Sequence, residues 1–246
     1  MVDMKNNNNK LSMSDSDLPK VIFFDAMGTL FDLKSSVGEI YQQYALKYDV
    51  IADADLLDRA FHKSFKSAPT LAFSEEEIAK VKEQEYLWWK NVVAATFAEV
   101  GLLEKFSEFT EFFAKVYQYF ATVDPWDVFP DTISSLERWR DRGVELGVIS
   151  NFDTRLIEVL NILNLSEFFT SITISSVAGS AKPEQNIFQI ALNKHHVIAP
   201  QAWHVGDNVI ADYNGAKNVG INSFWLNRKA QSLNIKNQLP NLSSLG

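Results

Sequence analysis

Val21-Ile22-Phe23-Phe24-Asp25-Ala26-Met27-Gly28-Thr29-Leu30 is the stretch on which the reading of this chain turns. Its first four residues are apolar and rich in β-branched and aromatic types, the pattern of a strand buried on both faces of a parallel sheet. That strand delivers Asp25 at its C-terminal end. A carboxylate there is costly unless a cation, a hydrogen-bond network or a reaction requires it. In open α/β sheets the carboxyl ends of strands are also where ligands bind. Gly28 then allows a tight turn and a close backbone approach to a ligand, and Thr29 is expected to brace the turn through its hydroxyl.

The same short apolar runs return after Asp124-Pro125. Strands are expected over 144–149, 171–175, 202–205 and 221–226, alternating with helices over 130–140, 154–163, 184–195 and 210–219. Asp131 is the expected N-cap of the first of these helices, and Gly143 and Gly220 are expected stops. Alternating strands and helices imply parallel β-α-β units with right-handed crossovers. Residues 34–123 differ: helical periodicity takes over, with Pro69 the one proline. Helices are expected over 38–48, 53–65, 75–100 and 107–120. The third would be capped by Ser74, with Glu75, Glu76 and Glu77 in its first turn and Gly101 as its stop. The rings at Phe109, Phe112, Phe113, Tyr117, Tyr119 and Phe120 read as bundle core, with a minority left to line a substrate pocket.

The fold expected is therefore α/β: a Rossmann-like three-layer core with a central parallel sheet, residues 18–33 and 124–246, and an all-helical cap, residues 34–123, inserted after the first strand. Residues 1–17, with Asn6–Asn9, are polar and expected to form a disordered tail. They hold no apolar run of signal-peptide length, and no segment approaches the ~20 apolar residues that span a bilayer. A cytoplasmic location is expected by default. The 246 residues carry 23 basic and 31 acidic side chains, a net charge of −8, which argues against a broad nucleic-acid or anionic-membrane surface. The expected partner is a small phosphorylated molecule bound by a monomer or homodimer. There are no cysteines, so thiolate nucleophiles and Cys-ligated metals are excluded and any metal must be held by oxygen or imidazole.

Four strand or loop ends carry polar groups that an ordinary core would not choose: Asp25, Ser150-Asn151, Lys182, and Asp207 with Asp212. Two carboxylates joined to Asp25 would make a hard oxygen site suited to Mg²⁺, retained waters and a phosphate. The Lys182 ammonium would hold Asp25 and Asp207 ionised and meet a phosphate, with Pro183 in the first turn of the next helix. The Ser150 hydroxyl and Asn151 amide would donate to phosphate oxygens, with Gly28 admitting the ligand to the backbone. Singly, each has a structural reading: a strand–helix turn for Ser150-Asn151, a solvated charge for Lys182, a helix first-turn residue for Asp212. Their order and shared position after strands set them together. The histidines, His62, His195, His196 and His204, form no ligand pattern.

Asp-Ala-Met-Gly-Thr-Leu at 25–30, Ile-Ser-Asn at 149–151, Ala-Lys-Pro at 181–183 and Val-Gly-Asp at 205–207 followed by Asp212 resemble, in order, motifs one to four of the haloacid dehalogenase (HAD) superfamily. The insertion after motif one resembles that superfamily's first cap type. Residues 87–97, with Trp88 and Trp89, and Ile149-Ser150-Asn151-Phe152-Asp153 resemble its rhythmically expressed gene 2-like branch. The resemblance implies Asp25 as a nucleophile that forms an aspartyl-phosphate, and Mg²⁺ held by Asp25, the Met27 carbonyl and Asp207 with Asp212 supporting. It implies that Ser150 and Lys182 bind the phosphoryl group. HAD phosphatases usually carry a second Asp two residues after the nucleophile as general acid/base; here that residue is Met27. A thioether shuttles no proton, so slow turnover or a preference for good leaving groups is expected. The alternatives are a catalytically impaired HAD-fold binding protein and a 2-haloacid dehalogenase, the latter opposed by Asp207.

Overall fold

In the computed structural model of this protein the described residues are 18–75, 77–230, 233 and 235–246. The expected tail, 1–17, and Glu76 lie outside them. Strand β1 (Val21–Phe24) buries every residue, because the sheet is covered on both faces. Ile22 and Phe24 point into one apolar cluster and Val21 and Phe23 into another, which is why the strand reads as a continuous apolar run.

The chain next forms β2 (Phe31–Leu33) and four longer helices: α1 (Val37–Leu46), α2 (Ala54–Ser67), α3 (Ile78–Glu99) and α4 (Phe109–Tyr119). It returns through β3 (Trp126–Val128), which pairs antiparallel with β2, Phe31 opposite Val128. This pair, too short to announce itself in sequence, brings the way into and out of the helical insertion side by side. The insertion has its own apolar cluster, built on Tyr41, Val93, Phe97, Phe112 and Phe113. Helix α3 begins three residues later than expected: Glu77 precedes it without a side-chain cap bond, and Ser74 plays no capping role. The expected stop holds, since Gly101 adopts φ +70°.

The remainder alternates as anticipated: α5 (Thr132–Asp141), β4 (Glu145–Ser150), α6 (Arg155–Ile162), β5 (Ser171–Ile174), α7 (Ser175–Ala178), α8 (Gln185–Lys194), β6 (Ala202–Gly206), a π-helical turn (Val209–Asn214), α9 (Gly215–Asn218), β7 (Asn222–Leu226) and β8 (Gln238–Leu239). The sheet order is β5-β4-β1-β6-β7-β8 with every pair parallel. Leu136 and Trp139 of α5 and Leu156, Val159 and Leu160 of α6 cover one face; Ile187, Phe188 and Ala191 of α8 and Ala216 of α9 cover the other. The expected continuous helix over 210–219 is instead a π turn followed by a short α segment. Asp131 makes no cap bond with α5; its carboxylate accepts from Arg228 and from the Leu242 amide and so anchors the C-terminal segment. Pro183 stands ahead of α8, whose N-cap is Glu184, and not in its first turn. Among the described residues no helix is long and apolar enough to cross a membrane.

Candidate active site

Strand β1 occupies the middle of the sheet, with Phe24 paired to Val148 of β4 on one side and to Val205 of β6 on the other. The carboxyl ends of these three strands form one edge, where the chain's direction of progress through the sheet reverses. The Asp25 amide donates to the Val205 carbonyl at 2.9 Å, continuing the ladder one residue beyond the strand and fixing Asp25 at that edge.

Lys182 comes from the loop before α8 and is 5% exposed. Its Nζ donates to Asp25 Oδ1 at 2.7 Å, to the Ile149 carbonyl at 2.7 Å and to Asp212 Oδ1 at 2.5 Å. Each ammonium hydrogen therefore has an acceptor, and the reading of Lys182 as a solvated charge is excluded. Asn151 holds the loop in place: its Nδ2 donates to the Lys182 carbonyl at 2.8 Å and its Oδ1 accepts from the Lys182 amide at 2.7 Å. Expected as a phosphate donor, Asn151 thus orients the lysine, with one Nδ2 hydrogen left for a ligand. Ser150 is buried at the end of β4 beside it.

Asp212 is fixed from every side. Its Oδ1 also meets His204 Nε2 at 3.0 Å, and its Oδ2 accepts from the Asn208 amide at 3.0 Å. Burial alone would raise its pKa, but Lys182 and His204 hold the carboxyl well below the usual range. Burial would likewise lower Lys182; the Asp212 and Asp25 carboxylates outweigh it and push the ammonium up. Asp25 is pushed up by burial, with Asp212 adding to the shift and Lys182 opposing it. Asp207 is exposed as a residue, but its carboxylate lies against the turn at Gly28, where a Cβ would sit 2.7 Å from Oδ2. Loss of water there, and then the charges of Asp25 and Asp212, push Asp207 up to about 7.

Carboxylate oxygens of Asp25, Asp207 and Asp212 lie within 4.8 Å of one another. One lysine faces three carboxylates, and two of the three are pushed toward the neutral form. That frustration fits a hard cation at Asp25 and Asp207. Asp212 has both oxygens engaged and acts as a brace. Gly28, expected at the phosphate, spends its N–H on the Phe31 carbonyl at 2.8 Å; with φ +80° and no side chain, it makes room for Asp207. The Thr29 hydroxyl braces nothing: it is buried without a hydrogen-bond partner among the described residues.

Met27, two residues after Asp25, is 37% exposed and stands on the wall of a cavity of about 510 Å³. Asn151 and Lys182 end the same cavity, and the helical insertion supplies most of the rest. Of the rings expected as bundle core, Phe112 and Phe113 are buried, while Phe113, Tyr117 and Phe120 line the cavity together with Phe61, Trp88 and Trp89.

Two features escaped sequence reasoning. His204, inside β6, contacts Asp212, and among the described residues its Nδ1 has no partner. A histidine between apolar strand neighbours was the available signal. The second is a polar seam between insertion and core. Glu85 of α3 has no exposed surface and accepts from the Thr154 amide (2.8 Å), Thr154 Oγ1 (2.6 Å) and Ser176 Oγ (2.6 Å). Beside it Trp89 Nε1 donates to Asp153 Oδ2 at 2.6 Å, and Arg155 pairs with Asp153 and donates to the Tyr117 carbonyl. Nothing local marks Glu85 apart from its place four residues after Val81, on the buried face.

A family model described as haloacid dehalogenase-like hydrolase matches residues 19–220. The mouse (Mus musculus) protein haloacid dehalogenase-like hydrolase domain-containing protein 3 is 32% identical over 205 residues, 83% of this chain and 80% of that protein. The rhythmically expressed gene 2 protein of Drosophila melanogaster is 25% identical over 228 residues, 88% of this chain and 86% of its own length. The HAD-hydrolase YfnB of Bacillus subtilis, crystallised with magnesium, superposes with a TM-score of 0.72 at 14% identity, covering 93% of this chain and 97% of that one, a likeness of fold. The chain belongs to the haloacid dehalogenase-like hydrolase family, in the branch that holds the rhythmically expressed gene 2 protein.

Proposed function

We propose that this hydrolase is a Mg²⁺-dependent phosphohydrolase acting on a small phosphorylated metabolite through an aspartyl-phosphate on Asp25. The observation that carries the reading is the Asp25 carboxylate held at the end of β1 by Lys182, itself on the wall of a cavity, with the oxygens of Asp207 and Asp212 close by. Mg²⁺ bound by Asp25, Asp207 and the Met27 carbonyl would neutralise charge on the phosphoryl oxygens. Lys182, aimed by Asn151 and Asp212, opposes the loss of charge that burial imposes on Asp25, which a bound Mg²⁺ would complete, and offers positive charge to the same oxygens. Ser150 is proposed to donate to the phosphoryl group from the end of β4.

The 2-haloacid dehalogenase reading is disfavoured by the cavity's charge. Such a substrate carries a carboxylate of its own, and the cavity's guanidinium, Arg155, is already neutralised by Asp153 at 2.6 Å. The binding-protein reading rests on Met27, which supplies no proton. Hydrolysis of acetyl phosphate, whose leaving group needs none, separates the two. The expected result is Mg²⁺-dependent release of phosphate by the wild type and its loss by at least 10³-fold in Asp25→Asn. Equal rates in the two proteins would refute the nucleophile.

A further inference from the structure

The cavity beside Asp25 is built for one kind of leaving group. Its walls are rings, among them Tyr41, Phe61, Phe65, Trp88, Trp89 and Trp126, and its volume of about 510 Å³ is that of a drug-sized ligand site. The charges on its walls are already matched among the described residues. Arg155 gives Nε and one terminal nitrogen to Asp153 and the other to the Tyr117 carbonyl, and its Cζ lies 3.8 Å from the Tyr117 ring centre. His62 sits at the rim, 72% of its side chain exposed, 3.5 Å from Asp58. Lys182 is spent on Asp25 and Asp212. A sugar or a second anionic group would lose its hydration against these rings without recovering it.

Proton supply narrows the choice further. Met27 stands where a carboxylic acid would serve the departing oxygen. The two phenols on the cavity wall are pushed up by burial, Tyr41 well above the ordinary phenol range and Tyr117 to about 12, and make poor acids at neutral pH. A leaving oxygen must then carry its own negative charge away, as aromatic alcohols do far more readily than aliphatic ones.

We infer that the cavity is the leaving-group site for phosphate monoesters of bulky apolar aromatic alcohols. The inference rests on the phosphohydrolase reading above. An Asp25 oxygen attacks phosphorus as the P–O(aryl) bond breaks, and the bonding pair leaves on oxygen as an aryloxide. Water then attacks the aspartyl-phosphate, releasing inorganic phosphate and the Asp25 carboxylate; the proton it gives up is taken by the aryloxide in solution.

The test uses the full-length protein with Mg²⁺ and four substrates: acetyl phosphate, phenyl phosphate, 2-naphthyl phosphate and glucose 6-phosphate. Phenol and 2-naphthol are of similar acidity, so their ratio reads the cavity alone. The expected kcat/KM for 2-naphthyl phosphate is about tenfold or more above that for phenyl phosphate, with glucose 6-phosphate at least 10²-fold below both. In Phe65→Asp, which places a charge at a half-exposed position of the wall, the naphthyl-to-phenyl ratio is expected to fall severalfold. Titration calorimetry on Asp25→Asn should give the same preference in Kd without turnover. Acetyl phosphate turnover with naphthyl and phenyl esters equal, or with glucose 6-phosphate preferred, would overturn the inference and leave the phosphohydrolase reading standing. No turnover of any of the four would overturn both.

Discussion

On the phosphohydrolase reading proposed above, Met27 parts the nucleophile Asp25 from a proton donor. Asp25 has its partner in Lys182 at 2.7 Å, while two residues on, a thioether faces the cavity with 37% of the residue exposed. General acid help is worth about 10²–10⁴-fold and is greatest where the leaving group is poor. Met27→Asp should therefore raise kcat on an alkyl phosphate by about 10²-fold in the presence of Mg²⁺ and change acetyl phosphate turnover much less. Steady-state rates on the two substrates check it; an equal change on both would mean that Met27 does not occupy the acid position. Asp25, Lys182, Asp207 and Asp212 could be picked out from sequence because each is a charge at a strand or loop end of the alternating pattern. What could not be read is which atom each one spends: Asn151 on the Lys182 backbone and the Gly28 amide on Phe31. Those bonds depend on strand register, which leaves no local trace.

At the scale of elements, α3 ties the helical insertion to the sheet. Its hydrophobic spacing was legible through Val81, Val92, Val93 and Phe97, but Glu85 on the same buried face breaks that pattern. A charge there is tolerated because three donors from the core converge on it, and they come from residues 154 and 176, far along the chain. Burial still wins over those bonds, and Glu85 is pushed up from its ordinary value. The unfolded chain then binds fewer protons than the folded one in the window above pH 4.5, so this residue's contribution to stability falls as pH rises through it. Glu85→Gln keeps an acceptor for the Thr154 amide and a donor for the Thr154 hydroxyl. It should leave stability near the wild-type value and flatten that pH dependence. Glu85→Ala strands buried partners and opens a void, at a cost of about 2–4 kcal/mol. Urea melts of the two variants at pH 5 and pH 7.5 check both statements; a Gln variant as damaged as the Ala variant would show that the charge itself is required.

Over the whole molecule, the alternation of apolar runs with helical periodicity was enough to give a parallel sheet covered on both faces. The antiparallel β2–β3 pair and the terminal β8 were too short to stand out. What the sequence withheld is how much unfavourable charge the assembled fold gathers at one edge of that sheet. Asp25 and Asp207 are both pushed up there, Asp207 to about 7, so without a metal their linkage has the same sign as that of Glu85: stability declines as pH rises from about 4 to about 7. A divalent cation should reverse the site's share of that decline and leave the Glu85 share. At pH 7.5 and tenfold over its Kd, Mg²⁺ should add about 1.4 kcal/mol, a rise in Tm of roughly 3–5 °C for a chain of this size. Asp207→Asn removes one of three crowded carboxylates, so in EDTA it should melt higher than the wild type, and Mg²⁺ should then shift it little. Calorimetric scans of both proteins with EDTA and with Mg²⁺ decide the matter. A wild-type Tm indifferent to Mg²⁺, or an Asp207→Asn protein stabilised by the metal as strongly as the wild type, would remove Asp207 from the metal site and leave its raised pKa as a consequence of crowding alone.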